Sequence, residues 1–356
     1  MGFKCGIVGL PNVGKSTLFN ALTASKNAEA ANFPFCTINP NIGIVDVVDE
    51  RLEKLTKLSS SKKKIYTNIT FVDIAGLVKG ASKGEGLGNK FLSHIREVDA
   101  IIHLVRCFES DKITHVNSNV NPVEDLETIK TEIILSDIDI VQKKLEKGKK
   151  KLLQEKEIKI LEETLKQLND GKEILSNNEL EKKFLSSLGL LSIKPKIIVC
   201  NVDENSVAKG NNFTESVKKK YSKEKIVSIC ADIEDQIMGL DNNERETFMK
   251  EIGLNKTGLN QLIKEGYDLL SLDTFFTSGP EESRAWTVEK NTLAPKAAGV
   301  IHTDFEKKFI RAEAVTCEDF IKYGSAEKCK ENGKLRIEGK DYVVKDGDVL
   351  YFRVNP

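Results

Sequence analysis

Residues 9–17 read Gly-Leu-Pro-Asn-Val-Gly-Lys-Ser-Thr and contain the pattern G-x-x-x-x-G-K-[ST] in full. This pattern is typical of a phosphate-binding loop between a buried strand and a helix. An apolar run over 3–10 leads into it, and a helical pattern begins at about Lys15. In such a loop the backbone N–H groups surround a phosphate, and the N-terminus of the following helix adds partial positive charge. The stretch therefore predicts an α/β domain that binds a nucleoside triphosphate.

The chemistry of the loop assigns a role to each polar side chain. Lys15 is placed to reach the β- and γ-phosphates, and the hydroxyl of Ser16 is placed to bind Mg²⁺. The nucleotide contacts that we expect in the loop are Asn12, Val13, Gly14, Lys15, Ser16 and Thr17.

The composition is that of a folded protein without a dominant charge. The 356 residues are 40% hydrophobic and the formal net charge is zero, so bulk charge predicts neither nucleic-acid nor membrane binding. No apolar run approaches the ~18 residues that a membrane-spanning helix needs, and the chain begins directly in the first predicted strand, without a signal peptide. The seven cysteines contain no C-x-x-C pair, which disfavours a structural zinc site. We expect a monomeric, cytoplasmic protein that does not associate with a membrane.

Strand-like and helical patterns alternate through the first third of the chain, which predicts crossover units and a mainly parallel sheet. From 123 the chain becomes rich in Lys, Glu, Leu and Ile, with apolar residues three and four apart, as in a coiled-coil seam. We expect an antiparallel helical hairpin here, whose charged outside is either a solvated face or a docking surface. After about 273 the strands indicate a small α+β module. The predicted domains are 1–122 and 196–272 for the nucleotide-binding domain, 123–195 for the helical insertion and 273–356 for the C-terminal module.

A second motif, Asp73-Ile74-Ala75-Gly76, follows an apolar strand and indicates a nucleotide switch. Asp73 is placed to hold the water shell of Mg²⁺, and the backbone N–H of Gly76 can meet a γ-phosphate. The stretch 79–88 contains four glycines, which suits a mobile loop. Thr37 is the expected switch threonine, with its hydroxyl on Mg²⁺ and its N–H on the γ-phosphate. Together these motifs predict a GTPase-like fold of the translation-factor class.

The motif that reads the base departs from the GTPase pattern. GTPases of this class carry N-K-x-D, whose aspartate accepts hydrogen bonds from guanine, whereas this chain has Asn201-Val202-Asp203-Glu204. A carboxylate placed for guanine would repel the N1 lone pair of adenine, so moving it removes a penalty against adenine. The motif therefore favours ATP or relaxed specificity, although a frame shifted by one residue would make Asp203 the specificity residue. The base contacts that we expect are Asn201, Val202, Glu204, Ser228, Cys230 and Ala231.

Leu77 follows the switch motif, at the position where a Ras-like enzyme places a glutamine that orients the attacking water. An aliphatic side chain cannot orient water, so hydrolysis needs another group or a partner. Cys36, beside Thr37, is either a reactive or an inert thiol.

The sequence resembles the YchF, or Obg-like ATPase, family over essentially its whole length, and most weakly in the helical insertion. The stretches that carry the resemblance are 1–17, 32–37, 71–81, 284–287, 299–306 and 339–348. The resemblance implies a P-loop GTPase-like domain with an inserted helical hairpin and a small, β-grasp-like TGS domain. It also implies hydrolysis of ATP in preference to GTP, and association with the large ribosomal subunit or the whole ribosome, including ribosomal RNA.

The resemblance also implies how hydrolysis proceeds without a glutamine. The family replaces that glutamine with a hydrophobic residue, which Leu77 matches, and His115 corresponds to a histidine proposed to take over catalysis. With His115, the expected catalytic groups are Lys15 and Gly76. Related K⁺-activated enzymes ligate the ion with an asparagine at the position of Asn12, and K⁺ would then supply the charge that an arginine finger supplies elsewhere.

Three other functions compete with an ATPase. A GTPase translation factor differs only in base selection, and a non-hydrolysing nucleotide sensor would follow if Leu77 marks a dead enzyme. An RNA-binding scaffold with a vestigial nucleotide site is disfavoured by the intact Lys15, Ser16, Thr37 and Asp73.

Overall fold

A computed structural model describes residues 3–23, 41–74, 87–111, 119–147, 153–172, 174, 176, 178–254 and 256–355. The chain divides into two compact units. The first unit contains Phe3–Val45 and Thr70–Gly266, and the second contains Asp46–Ile69 and Tyr267–Pro356.

The described secondary structure alternates strands and helices over most of the chain. The strands are β1 (Phe3–Val8), β2 (Asn41–Val47), β3 (Lys63–Ile65), β4 (Thr67–Asp73), β5 (Ala100–Arg106), β6 (Lys196–Asn201), β7 (Lys225–Ile229), β8 (Leu272–Ser278), β9 (Glu282–Glu289), β10 (Phe309–Thr316), β11 (Arg336–Glu338) and β12 (Asp348–Val354). The helices are α1 (Lys15–Thr23), α2 (Glu50–Leu58), α3 (Leu87–Arg96), α4 (Pro122–Lys147), α5 (Glu155–Asn169), α6 (Glu179–Ser187), α7 (Asn212–Lys220), α8 (Ala231–Met238), α9 (Asn242–Glu251), α10 (Gly258–Leu269), α11 (Ala294–Ile301), α12 (Thr303–Lys307), α13 (Cys317–Tyr323) and α14 (Ala326–Glu331).

The sheet of the first unit has the strand order β2-β4-β1-β5-β6-β7. The pairs β1–β5, β5–β6 and β6–β7 are parallel, with His103 opposite Ile198 in the β5–β6 register. Every residue of β5 is buried, as expected for a parallel strand covered by helices on both faces. The α/β, P-loop GTPase-like fold predicted from the sequence is confirmed. In a parallel sheet the carboxyl ends of the strands share one edge, where the loops after β1, β6 and β7 meet.

The helical segment after β5 contains three described helices, α4, α5 and α6, where the sequence pattern predicted a hairpin of two. The three helices share one hydrophobic cluster, in which Val141 and Leu145 pack with Leu161, Leu168 and Leu185. The third helix begins at the N-cap Asn178, whose side chain accepts hydrogen bonds from two backbone N–H groups. Its nine residues are too few for the three-and-four periodicity to stand out.

The second unit contains a six-stranded sheet in the order β11-β10-β12-β8-β9-β3. Its edge strand β3 comes from the stretch 46–69, which we expected within the first nucleotide-binding segment, 1–122. That expectation was wrong for these residues, because Leu52 and Leu55 of α2 pack against Phe276 and Phe320 in one buried cluster. In addition, β3 pairs in parallel with β9.

Hydroxyl groups add to this attachment within the second unit. Four serine side chains form a chain of hydrogen bonds, from Ser59 to Ser278 (2.8 Å), from Ser278 to Ser283 (2.7 Å) and from Ser283 to Ser61 (2.7 Å). Arg51 of α2 also pairs with Asp346, at 2.6 Å between Nη1 and Oδ2. The hydrophobic contacts and these polar contacts together hold 46–69 in the second unit.

Within the described part of the chain, no helix combines the length and the apolar character needed to cross a membrane.

Candidate functional site: a phosphate-binding loop and a base-side loop

The loop between β1 and α1 has a backbone that few side chains allow. Asn12 has φ 61° and Gly14 has φ 97°, both in the left-handed region. A Cβ atom at Gly14 would lie 2.4 Å from Nδ2 of Asn201, and one at Gly9 would lie 2.5 Å from the carbonyl oxygen of Leu104. Gly9 is therefore required by its close contacts, and Gly14 by its conformation as well as by a close contact.

Lys15 lies over this loop at the start of α1. Its Nζ donates hydrogen bonds to the carbonyl oxygens of Gly9 (3.1 Å) and Leu10 (2.8 Å). Burial lowers the pKa of Lys15, and the nearby carboxylate of Asp73 opposes that shift. Burial likewise raises the pKa of Asp73, against the effects of Lys15 and of a hydrogen bond with Asn41. The cation and the carboxylate therefore share one partly desolvated site.

The residues around Lys15 fit a phosphate-bound Mg²⁺ ion. Ser16 presents an exposed hydroxyl in the first turn of α1, and Asp73 presents a half-buried carboxylate at the end of β4. Mg²⁺ prefers oxygen ligands and is usually held by one or two protein groups together with substrate phosphates. The described residues contain no cluster of three or more His, Cys, Asp or Glu side chains that could hold a metal ion. Asn41, at the start of β2, was missed by the sequence analysis because a single asparagine carries no motif.

Asn201 joins the phosphate-binding loop to the loop after β7. Its Nδ2 donates to the carbonyl oxygen of Val13 (3.0 Å), and its Oδ1 accepts from the N–H of Ala231 (3.1 Å). The side chain is only 5% exposed. Cys230 is buried immediately before α8, whereas Ser228 lies half-buried within β7. Asn201, Val13, Cys230 and Ala231 are thus brought together at the sheet edge.

The three residues after Asn201 point in different directions. Val202 is 2% exposed and packs in the hydrophobic core, so only its backbone could face a nucleotide. The two oxygens of Asp203 accept from the N–H (3.0 Å) and the hydroxyl (2.9 Å) of Ser206, which closes a short 3₁₀ turn. Glu204 is exposed, and its Oε1 accepts from Nε2 of Gln236 at 3.4 Å. The shifted frame that would make Asp203 read the base is disfavoured, because its carboxylate is engaged in its own turn.

Glu204 also lies close enough to Cys230 to affect its thiol. Burial is the main cause that raises the pKa of Cys230, and the negative charge of Glu204 adds to it. The charge of Glu204 therefore acts on the Cys230 thiol, on the side of the site where the base is expected.

Several predicted site residues lie outside the described part of the chain. These are Cys36, Thr37, Gly76, Leu77 and His115. The roles assigned to them from the sequence stay predictions.

Comparisons with known proteins agree along the whole chain. A family model described as "50S ribosome-binding GTPase" matches residues 4–141. The model of the YchF GTPase C-terminal region, described as a protein of unknown function, matches residues 272–355. The chain is 51% identical to the ribosome-binding ATPase YchF of Escherichia coli O157:H7 and 50% identical to that of Bacillus subtilis, over 100% of each pair of chains.

A solved structure resembles the chain over the same extent. It is that of the Schizosaccharomyces pombe YchF GTPase, which matches with a TM-score of 0.88 and 36% identity. The match covers 99% of this chain and 98% of that one.

Proposed function

This chain belongs to the YchF family, and on that basis we propose that it is a ribosome-associated enzyme that hydrolyses ATP in preference to GTP. The observation that carries the base preference is the loop after β6, where Asn201 is fixed, Val202 is buried and Glu204 stands in place of the guanine-reading aspartate. The relatives with 51% and 50% identity, named ribosome-binding ATPases, support the activity and the partner.

Base selection follows from where carboxylates stand. A guanine reader needs one carboxylate that accepts from both N1–H and the exocyclic N2 amine, and in that position it repels the N1 lone pair of adenine. Asp203 is engaged by Ser206, and Glu204 has a longer side chain that lies beside Gln236. Glu204 can then accept from an exocyclic amine such as that of adenine, without the paired geometry that guanine requires.

The phosphate chemistry rests on Lys15, Ser16 and Asp73. We propose that the ammonium of Lys15 exchanges its two loop carbonyl partners for phosphate oxygens. The hydroxyls of Ser16 and Thr37 would bind Mg²⁺ directly, and Asp73 would hold the water shell of the ion. When bound, Mg²⁺ neutralises the charge on the β- and γ-phosphates. The backbone N–H groups of the loop supply further fixed donors that need no reorganisation during reaction.

Water activation is assigned to groups outside the described residues. We propose that His115 replaces the glutamine that Leu77 displaces, and that the N–H of Gly76 contacts the γ-phosphate. Asn12 is the proposed K⁺ ligand. We expect that the glycine-rich stretch must order before His115 can act, so basal turnover should be slow and should rise when a ribosome or K⁺ favours the closed loop.

The assignment of domains and partners completes the proposal. We propose that 123–195 is an insertion in the nucleotide-binding domain and that 273–356 is a TGS domain, which the stretch 46–69 completes. The expected partner is the large ribosomal subunit or the whole ribosome, with contacts to ribosomal RNA. We further propose that the protein acts in the cytoplasm as a monomer.

A hydrolysis assay tests the proposal directly. Phosphate release from ATP and from GTP is measured with and without ribosomes, in K⁺ and in Na⁺ buffers. We expect ATP to be the better substrate, and ribosomes and K⁺ to raise its turnover. His115→Ala should lower the rate while ATP affinity stays nearly unchanged, because the residue would act in the transition state. A clear preference for GTP would overturn our interpretation of Glu204, and parent-like turnover by His115→Ala would remove that residue from catalysis.

A further inference from the structure

A cleft beneath helix α4 lies apart from the residues that we assign to ATP. Its volume is about 680 Å³, which includes space open to solvent. Its floor is formed by β5 and β6, where Ile101 stands opposite Lys196 and His103 opposite Ile198. Since alternate residues of a strand share one face, these four side chains are directed to the same side of the sheet. Clefts that combine apolar walls with a few polar groups are typical of small-molecule sites.

His103 is an unusual residue for the floor of such a cleft. Its side chain is 7% exposed, and within the described residues its Nε2 is buried without a hydrogen-bond partner. Burial, helped by the charge of Lys196, lowers the pKa of His103 to about 3, so the imidazole is neutral at neutral pH. A buried polar atom without a hydrogen-bond partner lowers stability, because its lost hydration is not replaced. A ligand atom that hydrogen-bonds Nε2 would recover that cost, which makes His103 a preformed polar contact.

The walls and the rim of the cleft differ in character. Leu126 and Ile133 of α4 are buried apolar walls, and Leu191 completes them. The rim carries lysines, of which Lys196 pairs with Glu224 at 2.9 Å and Lys194 donates to the backbone carbonyls of Arg96 and Val98. Lys130 of α4 is half-buried, and no described residue pairs with its ammonium. The rim is therefore positive, with one ammonium available to an anion.

We propose that this cleft binds a small organic acid, that is, an apolar ring or short chain that carries one anionic group. The apolar body packs between α4 and the sheet, the anionic group pairs with Lys130, and a polar atom of the ligand meets Nε2 of His103. A cation is disfavoured by the lysines of the rim, and a strongly hydrated polyanion is disfavoured by the apolar walls. The positive rim together with the apolar walls is the observation that selects this ligand class.

Two dyes that differ by one charged group test the proposal. 8-Anilinonaphthalene-1-sulfonate has an apolar body with a sulfonate, and N-phenyl-1-naphthylamine is the same body without it. Fluorescence titrations of the full chain are run in saturating Mg²⁺ and ADP, so that the nucleotide site is filled. We expect the sulfonate dye to bind saturably at one site and more tightly than the neutral dye. Lys130→Gln should weaken the sulfonate dye about fivefold, the scale of one partly exposed ion pair, and leave the neutral dye unchanged.

A control on the same helix separates the site from general charge. Lys143→Gln makes the same change at an exposed lysine of α4 that pairs with Asp139, outside the cleft, and it should leave both dyes unaffected. Ile133→Trp should fill the cleft and abolish binding of both dyes with Mg²⁺ and ADP still bound. If that variant does not fold, the proposal is tested by comparing the effects of Lys130→Gln and Lys143→Gln on binding of the sulfonate dye. Absence of saturable binding, or equal effects of the two lysine substitutions, would overturn the proposal.

Discussion

Asn201→Ala is the substitution from which we expect the clearest response, because this one side chain makes two buried connections. Its amide donates to Val13 in the phosphate-binding loop and accepts from Ala231 at the start of α8. Alanine removes both hydrogen bonds. The only space that it opens is the volume of the lost amide group. It also removes the atom against which Gly14 packs.

The magnitude follows from the groups left behind. The carbonyl of Val13 and the N–H of Ala231 would each lose a partner in a buried setting, where an unsatisfied group costs about 1–3 kcal/mol. Partial access of water to a surface loop lowers that cost, so we expect a loss of about 2–4 kcal/mol in the free energy of unfolding. ATP affinity should fall as well, because the loop that holds the phosphates and the loop beside the base are no longer held together.

Urea unfolding and ATP titration together test this reasoning, with Asn211→Ala as the matched control. Asn211 is also a bridging asparagine near this sheet edge, with Nδ2 donating to the carbonyl of Cys107 at 2.7 Å and Oδ1 capping α7. Its loss should lower stability by about 1 kcal/mol and leave ATP affinity unchanged. The reasoning is refuted if Asn201→Ala unfolds at the parent urea concentration and binds ATP with the parent affinity.

Three further substitutions test separate parts of the structure. Lys15→Ala should lower ATP turnover by about 10²–10³ in a phosphate-release assay, and near-parent turnover would contradict the assigned site. Asp137→Ala should cost about 3 kcal/mol in urea unfolding, since this buried carboxylate accepts from Leu191 and Ser192; a cost as small as that of the exposed neighbour Asp139→Ala would contradict it. Burial raises the pKa of Glu234 to about 7, so the folded state favours its protonated form and stability is lost as pH rises from about 4.5 to about 7. In Glu234→Gln, the decrease in the free energy of unfolding over this pH range should be smaller by about 3 kcal/mol, because the glutamine does not ionise. An unchanged pH profile of stability would argue against this reasoning.

The phosphate-binding loop could be predicted to the residue because its chemistry constrains the backbone. Gly9 and Gly14 meet other atoms too closely for any side chain, so the sequence pattern and the geometry are two descriptions of one requirement. The position of Asn201 at the end of a buried strand was equally clear, because β6 is an unbroken apolar run. Whether the carboxylate of Asp203 is free to contact a base could not be decided from spacing, since that depends on the turn that Ser206 closes.

The features that could not be predicted from the sequence depend on packing between distant parts of the chain. The apolar spacing of Leu52 and Leu55 predicts a helix with a buried face, but not that this face packs against Phe276. Polar residues in the core are equally hard to interpret, because no sequence pattern marks their role. His103 lies in a largely apolar strand, where the sequence does not tell a hydrogen-bonded core histidine from an unpartnered one. The structure makes the distinction, because Nε2 of His103 has no hydrogen-bond partner among the described residues.

The capture of residues 46–69 by the second unit has a consequence for how the chain can be cut. A chain that stops at Gly266 would keep α2 and β3 but lose the sheet and the aromatic side chains that cover them, so Leu52 and Leu55 would face solvent. Such a truncation should aggregate or be degraded, even though the deleted residues form one continuous C-terminal segment. A cleaner dissection would remove 48–66 as well, which contains α2 and β3, and rejoin β2 to β4 with a short linker. The C-terminal module is thus not an appendage, because its sheet is finished by a strand encoded more than 200 residues earlier, between Lys63 and Ile65.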